Sequence, residues 1–298
     1  MTIFVKMKLL YILYKDKGEN IVSDKTSLGN RIKNFYENPF RYYLPRRTPM
    51  ILRLDMRAGH SFTKGFQRPF DNIFMYCIQQ TAKYLCENIE GVKLSYQQSD
   101  EISLLLTDYE NIETEAWFGK NLQKVVSVSA SMATLAFNKF FEEEVLKYEN
   151  QTPFYKSIYP MDKKDREYIE ILNKSLNKGA MFDSRAFILP KEEVNNYFLW
   201  RQNDCTRNSI QMVGQANFSH KELQSKSCND IQNMLLTQKD INWNDFSVEK
   251  KRGSCCTKTG IHTVVDMKTG AQKERLVWEI DYNIPIFSED RNYVERFL

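Results

Sequence analysis

Asp100 and Glu101 stand side by side in the segment YQQSDEIS, residues 96–103, between two apolar alternating runs, GVKLSY and ISLLLT. Alternation with period two predicts a hairpin over residues 91–96 and 102–107, with both acids at its turn. Taken alone, S-D-E reads most simply as a solvated turn. Clustered carboxylates repel one another and cost free energy to desolvate, and the usual remedy is a cation. Mg²⁺ takes oxygen ligands, typically one or two carboxylates together with substrate phosphates. Two such ions can clamp the attacking and leaving oxygens of a phosphoryl transfer.

The elements around the turn supply a partner for these acids. MILRLD, residues 50–55, is a short apolar run ending on Asp55 and reads as a strand. Residues 70–88 carry apolar side chains at helical spacing, and 117–148 form a second long stretch without Gly or Pro after Gly119. MFDSRAFIL, residues 181–189, ends at Pro190 and reads as another strand. The order is β-α-β-β-α-β, an α+β, ferredoxin-like plan in which the first and third strands lie side by side. Asp55 is thereby expected beside the turn that carries Asp100 and Glu101.

Further polar residues cluster around this frame. Arg57 and His60 follow Asp55, and Lys64 and Arg68 lie in the Gly-containing loop TKGFQRPFD, where cations can converge on phosphate. Asp183 and Arg185 in FDSRAF can pair with each other. In WRQNDCTRN, helical spacing puts Arg201, Asp204 and Asn208 on one face. Ser219 in NFSHKEL is placed to cap a helix. Lys250, Lys251 and Arg252 open a predicted hairpin over 250–277, with Gly260 and Lys268-Thr269-Gly270 as turn signals, and form a candidate RNA-backbone patch.

Bulk properties bound the class. The chain has 298 residues, 42% of them hydrophobic and 13% aromatic, which supports a packed core and excludes general disorder. The net charge of +4 is mild, but residues 1–50 hold ten Lys and Arg against four Asp and Glu. Cys77, Cys86, Cys205, Cys228, Cys255 and Cys256 include no C-x-x-C pair, and there are only three histidines, which argues against structural zinc. The thiols read as reduced, packed and cytoplasmic. The opening MTIFVKMKLLYILYKDKG is interrupted by Lys6 and Lys8 and is too short to span a bilayer, so no membrane association is expected.

In their order, RLDMRAGHSFTKGFQRPFD, YQQSDEIS, FDSRAFILP, WRQNDCTRNSI and NFSHKEL resemble the tRNA-His guanylyltransferase superfamily, most closely its bacterial Thg1-like branch of 3′-to-5′ RNA polymerases. The resemblance runs from about residue 24 to the end. It implies a polymerase palm with helical and β-hairpin C-terminal additions: an extension over 1–23, a catalytic domain over 24–194 and a region packing on the palm over 195–298. It implies a nucleotidyltransferase that repairs tRNA with an incomplete 5′ end, copying a template, through an activated 5′ end. Two Mg²⁺, ATP and GTP or other nucleoside triphosphates, and a homotetramer are implied with it. By position Asp55 and Asp100 match the metal-binding acids, the Met56 carbonyl a further metal ligand, and Glu101 the acid beside them. Arg57, His60, Lys64, Arg68, Ser99, Lys124, Arg185, Arg201 and Asn208 match positions expected to face nucleotide or phosphate.

Two departures stand out. The family block D-G-[KR]-x-F-H has Met56 in place of its Gly and Gly59 in place of its Phe, and a positive φ at position 56 would strain a Met. After Cys205 stands Thr206-Arg207-Asn208 rather than the H-I-N of the eukaryotic enzymes, which favours templated repair. Three other classes compete with this reading. An RNA-binding module of the same strand order needs aromatics on its central strands, and ILRLD and ISLLLT have none. A palm-type nucleotide cyclase would carry Gly-Gly before the acids. A catalytically degenerate member of the family is the third.

Overall fold

The computed structural model describes residues 27–156, 163–265 and 272–298. Residues up to Tyr42 form one unit and Tyr43–Leu298 a second. In the first, a helix at Ser27–Ile32 widens into a π-helical turn at Lys33–Glu37 and ends in a tighter 3-10 turn at Asn38–Phe40, with no buried residue. The readings of residues 1–23 and of the turn at 268–270 lie outside the described residues.

The second unit is built on one antiparallel sheet. Its strands are β1 (Met50–Met56), β2 (Val92–Gln98), β3 (Glu101–Leu106), β4 (Phe182–Ile188), β5 (Ser254–Val265) and β6 (Gln272–Asp281), in the order β4-β1-β3-β2-β5-β6. The first four strands in that order are the ferredoxin-like plan, and β5 and β6 extend it at the β2 edge. Its longer helices are α1 (Asn72–Asn88), α2 (Leu122–Lys156), α3 (Lys163–Lys178), α4 (Lys191–Asn217) and α5 (Cys228–Lys239). Asp71 caps α1 by accepting from the Phe74 amide at 2.9 Å.

Alternation in β1 sends Leu52, Leu54 and Met56 to one face and Ile51, Arg53 and Asp55 to the other. The first face meets α1 and α2 in a core that holds Phe62, Phe66, Phe74, Phe137 and Phe141, rings 5.3–6.5 Å apart where they touch. Each such side chain contributes roughly 1.5–3 kcal/mol by leaving water. The second face packs Ile51, Leu94, Tyr96 and Leu105 against Val194, Tyr197 and Phe198 of α4 and Phe287 and Tyr293 of the C-terminal tail. Gln202 of α4 holds that tail, donating to the Pro285 carbonyl and accepting from the Phe287 amide, each at 2.9 Å.

Several expectations need correction. The 91–107 hairpin is tighter than its pattern suggested: only Ser99 and Asp100 form the turn, and Glu101 is the first residue of β3. The second long helix does not begin at Trp117. Phe118, Gly119 and Lys120 all have positive φ (48°, 59°, 58°), which ends a short turn at Trp117–Lys120 before α2 starts. Helix α3 was not read in the sequence, because the βαββαβ plan asks for one crossover helix and α2 filled that place. Lys250, Lys251 and Arg252 sit in a helical turn at Val248–Arg252, not in the hairpin. Lys251 turns inward to the Asn244 carbonyl and the Trp243 ring, so it cannot belong to an exposed patch. Gly260 lies within β5, where a Cβ would collide with Glu279 at 2.2 Å, so it marks close strand packing rather than a turn.

The break before α2 has an energetic counterpart. Lys120 is 1% exposed, and its ammonium donates to the Pro45 carbonyl (2.9 Å), the Thr48 carbonyl (2.7 Å) and Asp108 (3.0 Å). Burial pushes the Asp108 carboxyl up, but the Arg47 amide, Lys120 and Arg46 together hold it below the usual range. Removing Lys120 leaves Asp108 with Arg46 and the Arg47 amide alone and strips the Pro45 and Thr48 carbonyls of their donor. Lys120→Met is expected to destabilise the fold by about 3 kcal/mol, read as a lower denaturation midpoint in urea. An unchanged midpoint would contradict this role.

Candidate active site

Three strands bring their acids into one row. In the sheet register Asp55 of β1 lies between Glu101 of β3 and Asp183 of β4. All three are on the face that α4 covers, where the apolar contacts end. Asp100 follows from the hairpin turn, with Ser99 before it in the left-handed region (φ 48°). The backbone ties the turn to β1, as the Met56 amide donates to the Asp100 carbonyl at 3.2 Å.

The row is electrostatically frustrated. Burial, then the charges of Asp100, Glu101 and Asp183, push the Asp55 carboxyl up to about 6, with Arg185 opposing. Burial also raises Asp100, against hydrogen bonds from its own backbone and from Ser99. Glu101 has its own counter-charge: Arg201 Nε donates to it at 2.7 Å, and both side chains are nearly buried. Arg201 also donates to Asp204 at 2.8 Å, and Asp204 accepts from Arg207 and Asn208 as well. The expected polar face of α4 therefore exists, but its groups largely bind one another and Glu101.

Gly59 decides where Asp100 sits. A Cβ at this position would lie 1.9 Å from Asp100 Oδ2 and 2.9 Å from its Cγ. The carboxylate thus occupies the space that any side chain at 59 would take. Met56 is not strained: it ends β1 with its side chain 2% exposed in the core, and the left-handed residue of the following turn is Ala58 (φ 56°).

The remaining candidate residues are spread over several elements. Arg57, His60, Lys64 and Arg68 are exposed on the turn and loop that leave β1. On β4, Arg185 is exposed and lies 3.6 Å from Asp183, the anticipated pair. Lys124 is exposed near the start of α2, its ammonium 5.7 Å from the Phe118 ring centre. Ser219 forms a full capping box with Glu222. All six cysteines are free thiols, and five are buried. The sequence reading missed Asp183 as a neighbour of Asp55 and Gly59 as the seat of Asp100. Only the first carried a signal, since β4 flanks β1 in the ferredoxin-like order.

The donor set suits a hard cation held sparingly. Among the described residues no three His, Cys, Asp or Glu side chains form an ion cage. Asp55 and Asp100 are two carboxylates whose charge nothing in the protein offsets fully. Gln98 Oε1, on the same hairpin, is buried without a hydrogen-bond partner. Two carboxylates and neutral oxygens, completed by phosphate and water, make a Mg²⁺ donor set. A carboxyl raised in the fold stabilises it below its ordinary value near 3.8, and that contribution is lost as pH rises through about 6. Asp55→Asn is therefore expected to raise the melting temperature more at pH 8 than at pH 5 in metal-free buffer, with no gain below about pH 3.8. Discounted for exposure, the gain is about 1 kcal/mol. Equal melting temperatures at pH 8 would contradict the frustration of the row.

Comparison with known proteins follows the same lines. A family model described as Thg1, tRNAHis guanylyltransferase, matches residues 29–190. A solved bacterial tRNA(His) guanylyltransferase (Thg1)-like protein in complex with ATP is 43% identical, with a TM-score of 0.71 over 91% of this chain and 99% of its own. A probable tRNA(His) guanylyltransferase of Dictyostelium discoideum is 24% identical over 80% of this chain and 86% of its own. The crystal structure of the Saccharomyces cerevisiae tRNA(His) guanylyltransferase, 19% identical with a TM-score of 0.58, shares the fold. Among the described residues no helix is long and apolar enough to cross a membrane.

Proposed function

Since this chain belongs to the tRNAHis guanylyltransferase family, we propose that it adds nucleotides in the 3′-to-5′ direction to tRNA with an incomplete 5′ end. The observation that carries this reading is the acid row Asp183–Asp55–Glu101 with Asp100 at its end, whose unmet charge calls for a cation beside a phosphate. The similar bacterial protein bound to ATP, and a second solved form of such a protein bound to GTP, support triphosphates as substrates.

The reaction has two parts. A 5′-monophosphate is first activated by attack on the α-phosphorus of ATP, releasing pyrophosphate. The 3′-hydroxyl of an incoming nucleoside triphosphate then attacks the activated 5′ phosphorus, a new phosphodiester forms and AMP leaves. Asp55, Asp100 and the Met56 carbonyl would hold Mg²⁺, which when bound supplies charge stabilisation for the transferring phosphoryl group. Arg57, His60, Lys64 and Arg68 receive the triphosphate from the loop side, with Ser99 and Arg185 around it, whereas Lys124 is left out: α2 packs on the other face of the sheet and, with Asn138 at Ala180 and Ser129 at Ser184, carries position 124 away from the Asp183 end. Glu101 keeps Arg201 in place, and Arg201 and Asn208 hold Asp204. The family resemblance alone carries the expectation of a cytoplasmic homotetramer.

Templating separates repair from fixed addition of G. A set of tRNAs lacking the first nucleotide, each with a different base opposite the gap, is incubated with ATP, Mg²⁺ and all four nucleoside triphosphates. Incorporation that follows the opposing base supports the reading. Incorporation of G against every base would replace it with non-templated guanylyl transfer.

A further inference from the structure

Of the four tryptophans, Trp117 and Trp243 are buried and Trp278 is half-buried, whereas Trp200 is 54% exposed. Its position is not incidental. Tyr197, one turn earlier in α4, is fixed to β3 by a 2.7 Å hydrogen bond with Ser103, and its ring meets Trp200 edge-on at 6.0 Å. The Arg201 guanidinium lies 4.4 Å from the Trp200 ring centre and is itself locked by Glu101 and Asp204. Arg53 lies 5.9 Å away, two residues before Asp55 on the same strand face and in register with Arg185 of β4. A large ring is thus held in a fixed pose beside the acid row, largely in water, with guanidinium groups around it.

Burial does not account for this placement, because the ring contributes little to the core. A half-exposed aromatic ring with guanidinium groups over it matches what a flat, electron-poor or neutral π system with attached phosphates needs. We infer that Trp200 is a stacking platform for a nucleobase whose phosphates lie toward the acid row and Arg185. The base belongs either to the incoming nucleoside triphosphate or to the 5′-terminal nucleotide of the RNA. The choice of ligand rests on the nucleotide-addition reading, but stacking is measurable without turnover.

Equilibrium binding is compared for the full-length protein, Trp200→Phe and Trp200→Ala. The ligands are GTP, base-free ribose 5-triphosphate, a 5′-phosphorylated tRNA, and the same tRNA with an abasic first nucleotide. Trp200→Ala is expected to weaken at least one base-bearing ligand by about 10- to 100-fold, and Trp200→Phe by only a few-fold. The base-free partner of that ligand should be unaffected. Loss confined to GTP assigns the base to the incoming nucleotide, and loss confined to tRNA assigns it to the RNA end. Equal loss for base-bearing and base-free ligands, or no loss at all, would overturn the inference. Trp200→Phe keeps the test valid if the alanine variant unfolds. Base-dependent binding without extension by the parent protein would sink the proposed activity and leave the platform standing.

Discussion

Asparagine in place of Asp100 is expected to reduce nucleotide addition by about a thousandfold or more, because on the proposed reading several kcal/mol of transition-state stabilisation leave with the carboxylate. Asp55→Asn does the same. Neither change unfolds the protein, since both carboxyls are raised by burial and their charged forms are not what holds the strands together. tRNA affinity stays within a few-fold of the parent. The diagnostic pattern is a collapse in the rate of extension with circular dichroism and tRNA binding preserved. Extension at the parental rate by either variant would remove the acid row from the chemistry.

The second large effect is counterintuitive. Gly59 stands where the family block has Phe, so Gly59→Phe restores the family residue. Because a Cβ at 59 would lie 1.9 Å from Asp100 Oδ2, the restoration must displace the carboxylate. A shift of about 1 Å in a reacting constellation can cost a hundredfold. Gly59→Ala is accordingly expected to lower kcat by about a hundredfold, and Gly59→Phe by at least as much. Gly59 does not have a positive φ, so alanine adds no backbone strain and tests the side-chain space alone. A rise in activity with Gly59→Phe would show instead that an aromatic wall is absent from the parent and that Asp100 has another seat.

Much of this arrangement was legible before any coordinates. The strand that ends on Asp55 is marked by its short apolar run and the hairpin that carries Asp100 by period-two alternation, and the βαββαβ order alone makes them neighbours. The Met50–Asp55 run and the Phe182–Ile188 strand fell within a residue or so of their expected bounds. What escaped the sequence is what depends on side-chain space and pairing. Nothing in D-M-R-A-G-H says that the Gly is a seat for a carboxylate a hairpin away. Arg201 reads as a phosphate ligand by its motif, yet its guanidinium is bound to Glu101 and Asp204 in the folded chain. Position 56 looked like a site of strain, and the left-handed residue proved to be Ala58 two positions on. The helix over Lys163–Lys178 was overlooked because topology had no slot for it.

Sheet register turns these residues into one device. Repulsion along Asp183, Asp55 and Glu101 is relieved on one side by Arg201 and on the other partly by Arg185, leaving Asp55 and Asp100 as the oxygens for a cation. The stability penalty of that unmet charge is small beside the several kcal/mol that a metal held there would supply to phosphoryl transfer.

The direction of addition is the central claim, and mass spectrometry of the product reads it directly. A tRNA lacking its first nucleotide and bearing a 5′-monophosphate is incubated with the protein, ATP, Mg²⁺ and the four nucleoside triphosphates, then digested to its terminal fragments. The account predicts a 5′ fragment heavier by one nucleotide and ending in a triphosphate, with the 3′ fragment unchanged. A heavier 3′ fragment, or no change in either, would contradict it.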